Sequence, residues 1–140
     1  MHYVVDASVA VKWLLPEVHS NEAAFLLSDE VTLSAPDLLY AEIGNVLWKR
    51  VINGDIADDQ AREALRRLIQ VEISIAPADL LVADALEIAC KYRRSVYDAL
   101  YMALAIQQDS VLVTADKRLH NAMRDTLLAK RLAWVADVSA

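Results

Sequence analysis

Apolar and polar positions along the chain follow two spacings, and each marks a kind of element. Tyr3-Val4-Val5 is a short β-branched and aromatic run that stops at Asp6. It reads as a buried strand, with Ala7-Ser8 turning out of it. Val9 to Leu15 reads as a helix ended by Pro16, because a proline disfavours the helical conformation of the residue before it. Ser20 or Asn21 is placed to cap a second short helix with Ala23, Ala24, Leu26 and Leu27 as its apolar positions. Val31-Thr32-Leu33-Ser34-Ala35 is the next strand, and Pro36 suits the start of the helix after it.

That helix is the longest, about Pro36 to Asn53, with Leu39, Ile43, Val46, Leu47 and Val51 on one stripe. Gly54 ends it in a left-handed conformation. Asp58 is expected to cap a more polar helix to about Gln70, and Ile73-Ser74-Ile75 alternates as a strand. Pro77 opens a helix to about Tyr92, and Ser95 caps another from Val96 to about Gln107. Ser110-Val111-Leu112-Val113-Thr114 is a strong strand, followed by a helix from Asp116 to about Asp125 and a last strand at Leu132-Ala133-Trp134-Val135.

Five short strands alternating with helices predict a parallel sheet covered on both faces, with right-handed crossovers. No internal repeat, low-complexity segment or linker divides the chain. The expected architecture is one three-layer α/β/α domain over residues 1–140, with a central, mostly parallel five-stranded sheet.

Composition narrows this picture. The 140 residues are 56% hydrophobic but only 6% aromatic, so the core must be built mainly from Ala, Leu, Val and Ile. Two Gly and three Pro leave too little punctuation for a turn-rich sandwich or barrel. A domain of this length buries roughly two-thirds of its unfolded surface, enough to fold without a metal or a disulfide. Lys and Arg number 14 against 20 Asp and Glu, a formal charge of −6. That balance argues against a non-specific nucleic-acid coat or a binder of anionic membranes, although a local basic rim can still hold a polyanion.

Cys90 is the only cysteine, which excludes an internal disulfide and a Cys-based zinc site; in its Ala- and Leu-rich helix it is expected to be a buried small hydrophobe. His2, His19 and His120 are scattered without metal-ligand spacing. Met1 to Asp6 lacks the basic start of a signal peptide, and no uncharged apolar run approaches the ~20 residues that cross a bilayer. A cytoplasmic protein is the expectation.

Open parallel sheets bind ligands at the carboxyl ends of their strands. Strand one exits into Asp6-Ala7-Ser8 and the fourth strand into Thr114-Ala115-Asp116. Asp98 lies in the first turn of the helix before that strand, and Glu42 sits on or beside the apolar stripe of the longest helix. Taken singly, each acid has an ordinary use. Asp6 and Asp116 suit helix caps, Ser95 to Asp98 is a capping-box pattern, and Lys49 or Arg50 can pair with Glu42. Taken together, they could meet at one end of one sheet. Carboxylates so gathered repel one another unless a cation sits among them. An all-oxygen set without Cys or His suits Mg²⁺ or Mn²⁺, ions that serve phosphoryl transfer. Ser8 and Thr114, each two residues from an acid, could orient a carboxylate or serve as turn and cap hydrogen bonds.

Four segments carry a resemblance. Val4-Val5-Asp6-Ala7-Ser8, Ala41-Glu42-Ile43-Gly44-Asn45-Val46-Leu47, Val96-Tyr97-Asp98-Ala99-Leu100-Tyr101 and Leu112-Val113-Thr114-Ala115-Asp116 resemble, in order and spacing, the PIN-domain ribonucleases. Among these the chain is most similar to the VapC-type toxins of toxin–antitoxin pairs, from about Tyr3 to Asp137. The resemblance implies a PIN-like fold and a Mg²⁺- or Mn²⁺-dependent endoribonuclease that hydrolyses RNA, often tRNA or rRNA, with a metal-activated water. It implies Asp6 and Asp98 as direct metal ligands, Glu42 and Asp116 completing an acidic quartet, and Ser8 and Thr114 supporting them. It also implies a homodimer and a small antitoxin partner.

Lys117-Arg118 directly follow Asp116 and Arg93-Arg94 precede Asp98, so these four, with Lys12, Lys49 and Arg50 nearby, could form a phosphate-binding rim. Trp13-Leu14-Leu15 and Trp48 are either core or a patch for self-association or a partner. Two rival functions stand beside the nuclease: an aspartyl-phosphate phosphotransfer domain, and a non-catalytic domain that binds a metal or a basic partner.

Overall fold

Val4 and Val5 are both wholly buried although neighbours on a strand point to opposite faces, so that strand is covered on both sides. It is β1 (His2–Val5), the middle of a five-stranded sheet in the computed structural model, which describes residues 1–138. The other strands are β2 (Thr32–Pro36), β3 (Ser74–Ala76), β4 (Val111–Thr114) and β5 (Leu132–Trp134). Their order is β3-β2-β1-β4-β5, and every pairing is parallel.

The helices among the described residues are α1 (Ala7–Leu14), α2 (Ser20–Phe25), α3 (Leu38–Ile52), α4 (Asp58–Gln70), α5 (Val82–Tyr92), α6 (Val96–Gln107) and α7 (Lys117–Met123). One face of the sheet, through Val4 and Leu112, joins a core that takes in Leu39, Ile43 and Leu47 of α3 and Ala99 to Ala105 of α6. The other face, through Val5, Leu33 and Val113, packs on Ala23 of α2 and Leu26. Helix α6 is buried over seven consecutive residues, which its unbroken apolar sequence allows.

The chain builds outward from β1 through β2 to β3, then crosses back to lay β4 on the other side of β1. Strand order therefore reverses between β1 and β4, and a crevice is expected where their carboxyl ends part. Val5 pairs with Val113, so Asp6 and Thr114 leave the two strands side by side.

Several expected boundaries move for local reasons. Ser20 does not cap α2: His19 takes that place with a left-handed φ of 67°, and Ser20 Oγ accepts the Glu17 N–H at 2.9 Å. Pro36 ends β2 instead of opening α3. Asp58 is the first residue of α4, where it pairs with Arg62, while Gln60 Oε1 accepts the Ala57 N–H at 2.8 Å. The segment after Pro77 is divided, a 3-10 turn at Ala78–Leu80 preceding α5. Cys90 is exposed, on the outer side of α5. Gly54 behaves as expected: its φ is 79°, and the N–H groups of Gly54 and Asp55 close back on the carbonyls of Val51 and Arg50.

Trp13 turns inward and donates its indole N–H to the Ala23 carbonyl at 2.8 Å, whereas Trp48 is 57% exposed on α3 beside the equally open Ile52. Among the described residues no helix is long and apolar enough to cross a membrane.

Candidate active site

Asp6 caps α1: its backbone is extended, and Oδ1 accepts the Val9 N–H at 3.2 Å. Capping does not exhaust it. Ser8 Oγ donates to Oδ1 at 2.5 Å and Thr114 Oγ1 donates to Oδ2 at 2.6 Å. Both hydroxyls also reach the β4 exit, Ser8 accepting the Ala115 N–H at 2.9 Å and Thr114 the Asp116 N–H at 3.1 Å. Two strand exits are thus laced together around one carboxylate. Burial pushes the Asp6 carboxyl up to about 6, against the hydrogen bonds that favour its charge, and the negative field of Asp116 adds to the rise.

Asp116 caps α7, its Oδ1 accepting from Arg118 N–H at 2.9 Å and Leu119 N–H at 3.4 Å. Glu42 reaches the same end of the sheet from α3. Tyr101 on α6 donates its hydroxyl to Glu42 Oε1 at 2.5 Å. Burial raises the Glu42 carboxyl, Tyr101 opposes that, and the charge of Asp98 adds to it. Asp98 stands in the first turn of α6, its N–H held by Ser95 Oγ at 3.1 Å and its Oδ2 by Arg94 Nη2 at 3.1 Å. The buried Tyr101 phenol is driven far up, first by desolvation, then by Glu42, and further by the fields of Asp6 and Asp98. Three acids thus bear on one phenol, and the fourth bears on Asp6.

The donor set fits a hard divalent cation in kind, since it is all oxygen. Each acid but Asp6 keeps one oxygen without a protein hydrogen bond among the described residues: Glu42 Oε2, Asp98 Oδ1 and Asp116 Oδ2. The arrangement is not a closed cage, however. Among the described residues no three His, Cys, Asp or Glu side chains stand close enough together to hold an ion. Arg94 occupies one oxygen of Asp98 and Tyr101 one of Glu42, so an ion would share those two carboxylates with the contacts they already make.

The basic residues divide. Lys117 and Arg118 are exposed on the first turn of α7 beside Asp116, as the rim reading expects. Arg93 is exposed with a left-handed φ of 55°, while Arg94 is spent on Asp98. Arg50 pairs with Glu17, and so does Lys12, which nonetheless lines the hollow that Asp116 and Lys117 share. A cavity of about 490 Å³ lies elsewhere, between His2, Leu26, Thr32 and Ser74, and none of the four acids lines it. Tyr101 is the residue that sequence reasoning missed as part of the site. Its one signal is a hydroxyl three positions after Asp98, within the otherwise apolar run Ala99–Ala105.

Residues 3–124 match the family model described as PIN domain. The chain is 33% identical over 121 residues to ribonuclease VapC3 of Pyrobaculum aerophilum, covering 85% of this chain and 92% of that one. It is 36% identical over 118 residues to ribonuclease VapC1 of Mycobacterium tuberculosis, covering 83% and 86%. Among solved structures it superposes on PAE2754 of Pyrobaculum aerophilum with a TM-score of 0.69 at 25% identity, over 93% of this chain and 88% of the other.

Proposed function

The chain belongs to the PIN-domain family, and from that premise we propose that it is a VapC-type endoribonuclease toxin that cuts RNA with the help of Mg²⁺ or Mn²⁺. Family membership favours this reading over the phosphotransfer and purely binding alternatives. The observation that carries it is the convergence at the β1 and β4 exits: a carboxylate clamped between Ser8 and Thr114, with Asp116 beside it and Glu42 and Asp98 facing it around Tyr101.

Asp6 and Asp98 would hold the cation, with Glu42 and Asp116 completing the acidic set. The chemistry such an ion supplies is polarisation of the phosphate and of the attacking water. The protein's part is positioning. Ser8 and Thr114 fix both oxygens of Asp6, so its orientation is set before any ligand arrives. Tyr101 fixes Glu42 through one oxygen and leaves the other to orient, or accept a proton from, the attacking water. Asp116 is held through Oδ1 by two backbone N–H groups, and Lys117 and Arg118 beside it would take phosphates flanking the cut.

The partners of this reading are an RNA substrate, tRNA or rRNA being the leading classes, a small antitoxin and a second copy of the chain. Trp48 and Ile52 on α3 offer exposed apolar surface for one of the protein partners. A mass in light scattering that stays monomeric at every concentration would remove the second copy.

The deciding experiment is cleavage of total cellular RNA by the purified protein in Mn²⁺, in EDTA, and with Asp98→Asn alongside. Discrete fragments that need the metal and vanish in the variant are expected, because Asn keeps the volume of Asp98 and its place in the first turn. An Asp98→Asn protein that cuts normally would overturn the assignment of that residue.

A further inference from the structure

Two adjoining hollows of about 450 and 440 Å³ share His19, Lys117 and Trp134 and form a groove that starts at Asp116 and runs along α7. Trp134, the last residue of β5, pairs with Thr114, the residue that holds Asp6, so the indole stands one strand away from the clamped carboxylate. The His19 ring meets that indole at 6.0 Å between centroids and 84° between planes; the His120 ring meets it at 5.6 Å and 57°. Neither imidazole stacks on the indole; Trp134 is half-buried against the core beneath it, and its open part lines both hollows. Residue 19 adopts a left-handed backbone that non-glycine residues seldom take, a cost of the kind that collects at binding sites. Three rings from three separate segments thus meet next to an exposed lysine and a candidate catalytic acid.

We propose that this groove is a nucleobase subsite: an unpaired base next to the scissile phosphate stacks on Trp134 between His19 and His120, while Lys117 meets a flanking phosphate. The inference rests on the ribonuclease reading and deepens it, because it names the residues that hold the base beside the cut. An aromatic platform takes any base by its π-face, so it selects for a splayed-out nucleotide and not for a sequence. Bases inside an A-form duplex are stacked on one another and cannot enter.

The test is binding, kept apart from cleavage by working in EDTA at low salt. Fluorescence anisotropy of the full chain is measured with a labelled random-sequence single-stranded 12-mer RNA and with a blunt RNA duplex of the same length. Wild type is expected to prefer the single strand. Trp134→Ala should weaken single-strand binding about five- to a hundredfold, the range found for loss of one stacked base, and leave duplex binding unchanged. Trp134→Phe keeps a platform and should retain most of the affinity. It also guards against a Trp134→Ala protein that fails to fold, as does His120→Ala, which should lose several-fold. Lys117→Ala should weaken both RNAs alike. If the wild type binds single strands but the Trp134 and His120 variants bind within twofold of it, the subsite is overturned and the nuclease reading survives. If the duplex is preferred, the subsite is equally overturned. If the wild type binds neither RNA, the subsite is overturned, and cleavage in Mn²⁺ decides the nuclease reading separately.

Discussion

Tyr101 and Glu42 lie 59 positions apart and on different helices, yet the phenol donates to the carboxylate at 2.5 Å. The bond favours the charged form of Glu42 against the burial that disfavours it. Tyr101→Phe keeps the ring in α6 and removes only the donor. Because a hydrogen bond to a charged group contributes about 1.5–3 kcal/mol, turnover should fall roughly ten- to a hundredfold with the fold intact. The Glu42 carboxyl should also rise further, moving the acid limb of the pH–rate profile to higher pH. An unchanged profile in Tyr101→Phe would mean that Glu42 takes no part in the rate.

The Asp6 carboxyl predicts how apo stability depends on pH. Folding raises it from 3.8 to about 6, so the folded chain retains a proton that the unfolded chain has released. The stabilisation from this group is full below pH 3.8 and is lost as pH rises through about 6, an interval worth ~3 kcal/mol. Asp6→Asn lacks the titration and still caps α1. In EDTA, denaturant titrations should show the variant gaining on wild type by ~2–3 kcal/mol between about pH 4 and 7. Parallel curves across that range would show that Asp6 is not the strained group.

How far this site can be read in the sequence depends on what each residue's role rests on. Asp6, Asp98 and Asp116 mark the start of helices, and strand exits and helix starts follow from local pattern, so all three stand out in the sequence itself. The same holds for the sheet, since short apolar runs alternating with helical stripes allow few other folds. What local pattern cannot supply is a partner far along the chain. Nothing near Tyr101 points to Glu42. Arg94 lies only four positions before Asp98, so that pair is open to a local reading. His19 and His120 look scattered along the chain because their common contact, Trp134, sits on the edge strand β5. Boundaries shift for a similar reason. Ser20 would cap α2 on propensity alone, but its hydroxyl is taken by the Glu17 N–H in the turn before the helix.

Cation binding should be visible as stability. At about pH 7.5, Mn²⁺ at a hundredfold excess over its Kd should stabilise wild type by about 2.7 kcal/mol, roughly 5–10 °C in Tm for a domain of this size. Asp6→Asn and Asp98→Asn should lose most of that gain. Arg94→Ala should bind Mn²⁺ several-fold more tightly in a direct titration, because Arg94 competes for Asp98. Weaker binding by Arg94→Ala would instead make the arginine the residue that orients Asp98.

Ser8 and Thr114 offer a test of whether the clamp around Asp6 works as one unit. Each hydroxyl donates to a different oxygen of Asp6 and accepts a backbone N–H from the β4 exit, and the two lie 3.3 Å apart. Thr114→Val preserves shape and deletes both bonds of one arm, leaving the Asp116 N–H and Asp6 Oδ2 short of a partner. A loss of about 1–3 kcal/mol in stability follows from the unsatisfied groups. Activity should fall as well, because the hydroxyl opposes the burial that raises the Asp6 carboxyl, and without it the acid limb moves to higher pH. Ser8→Ala should act in the same direction, and the double variant should lose less than the two single losses combined, since both arms hold one carboxylate. Thr114→Ser, which restores the oxygen without the methyl group, should recover most of the rate. Strictly additive losses in the double variant, or a Thr114→Ser protein as slow as Thr114→Val, would mean that Thr114 matters for packing at the end of β4 and not for the carboxylate it holds.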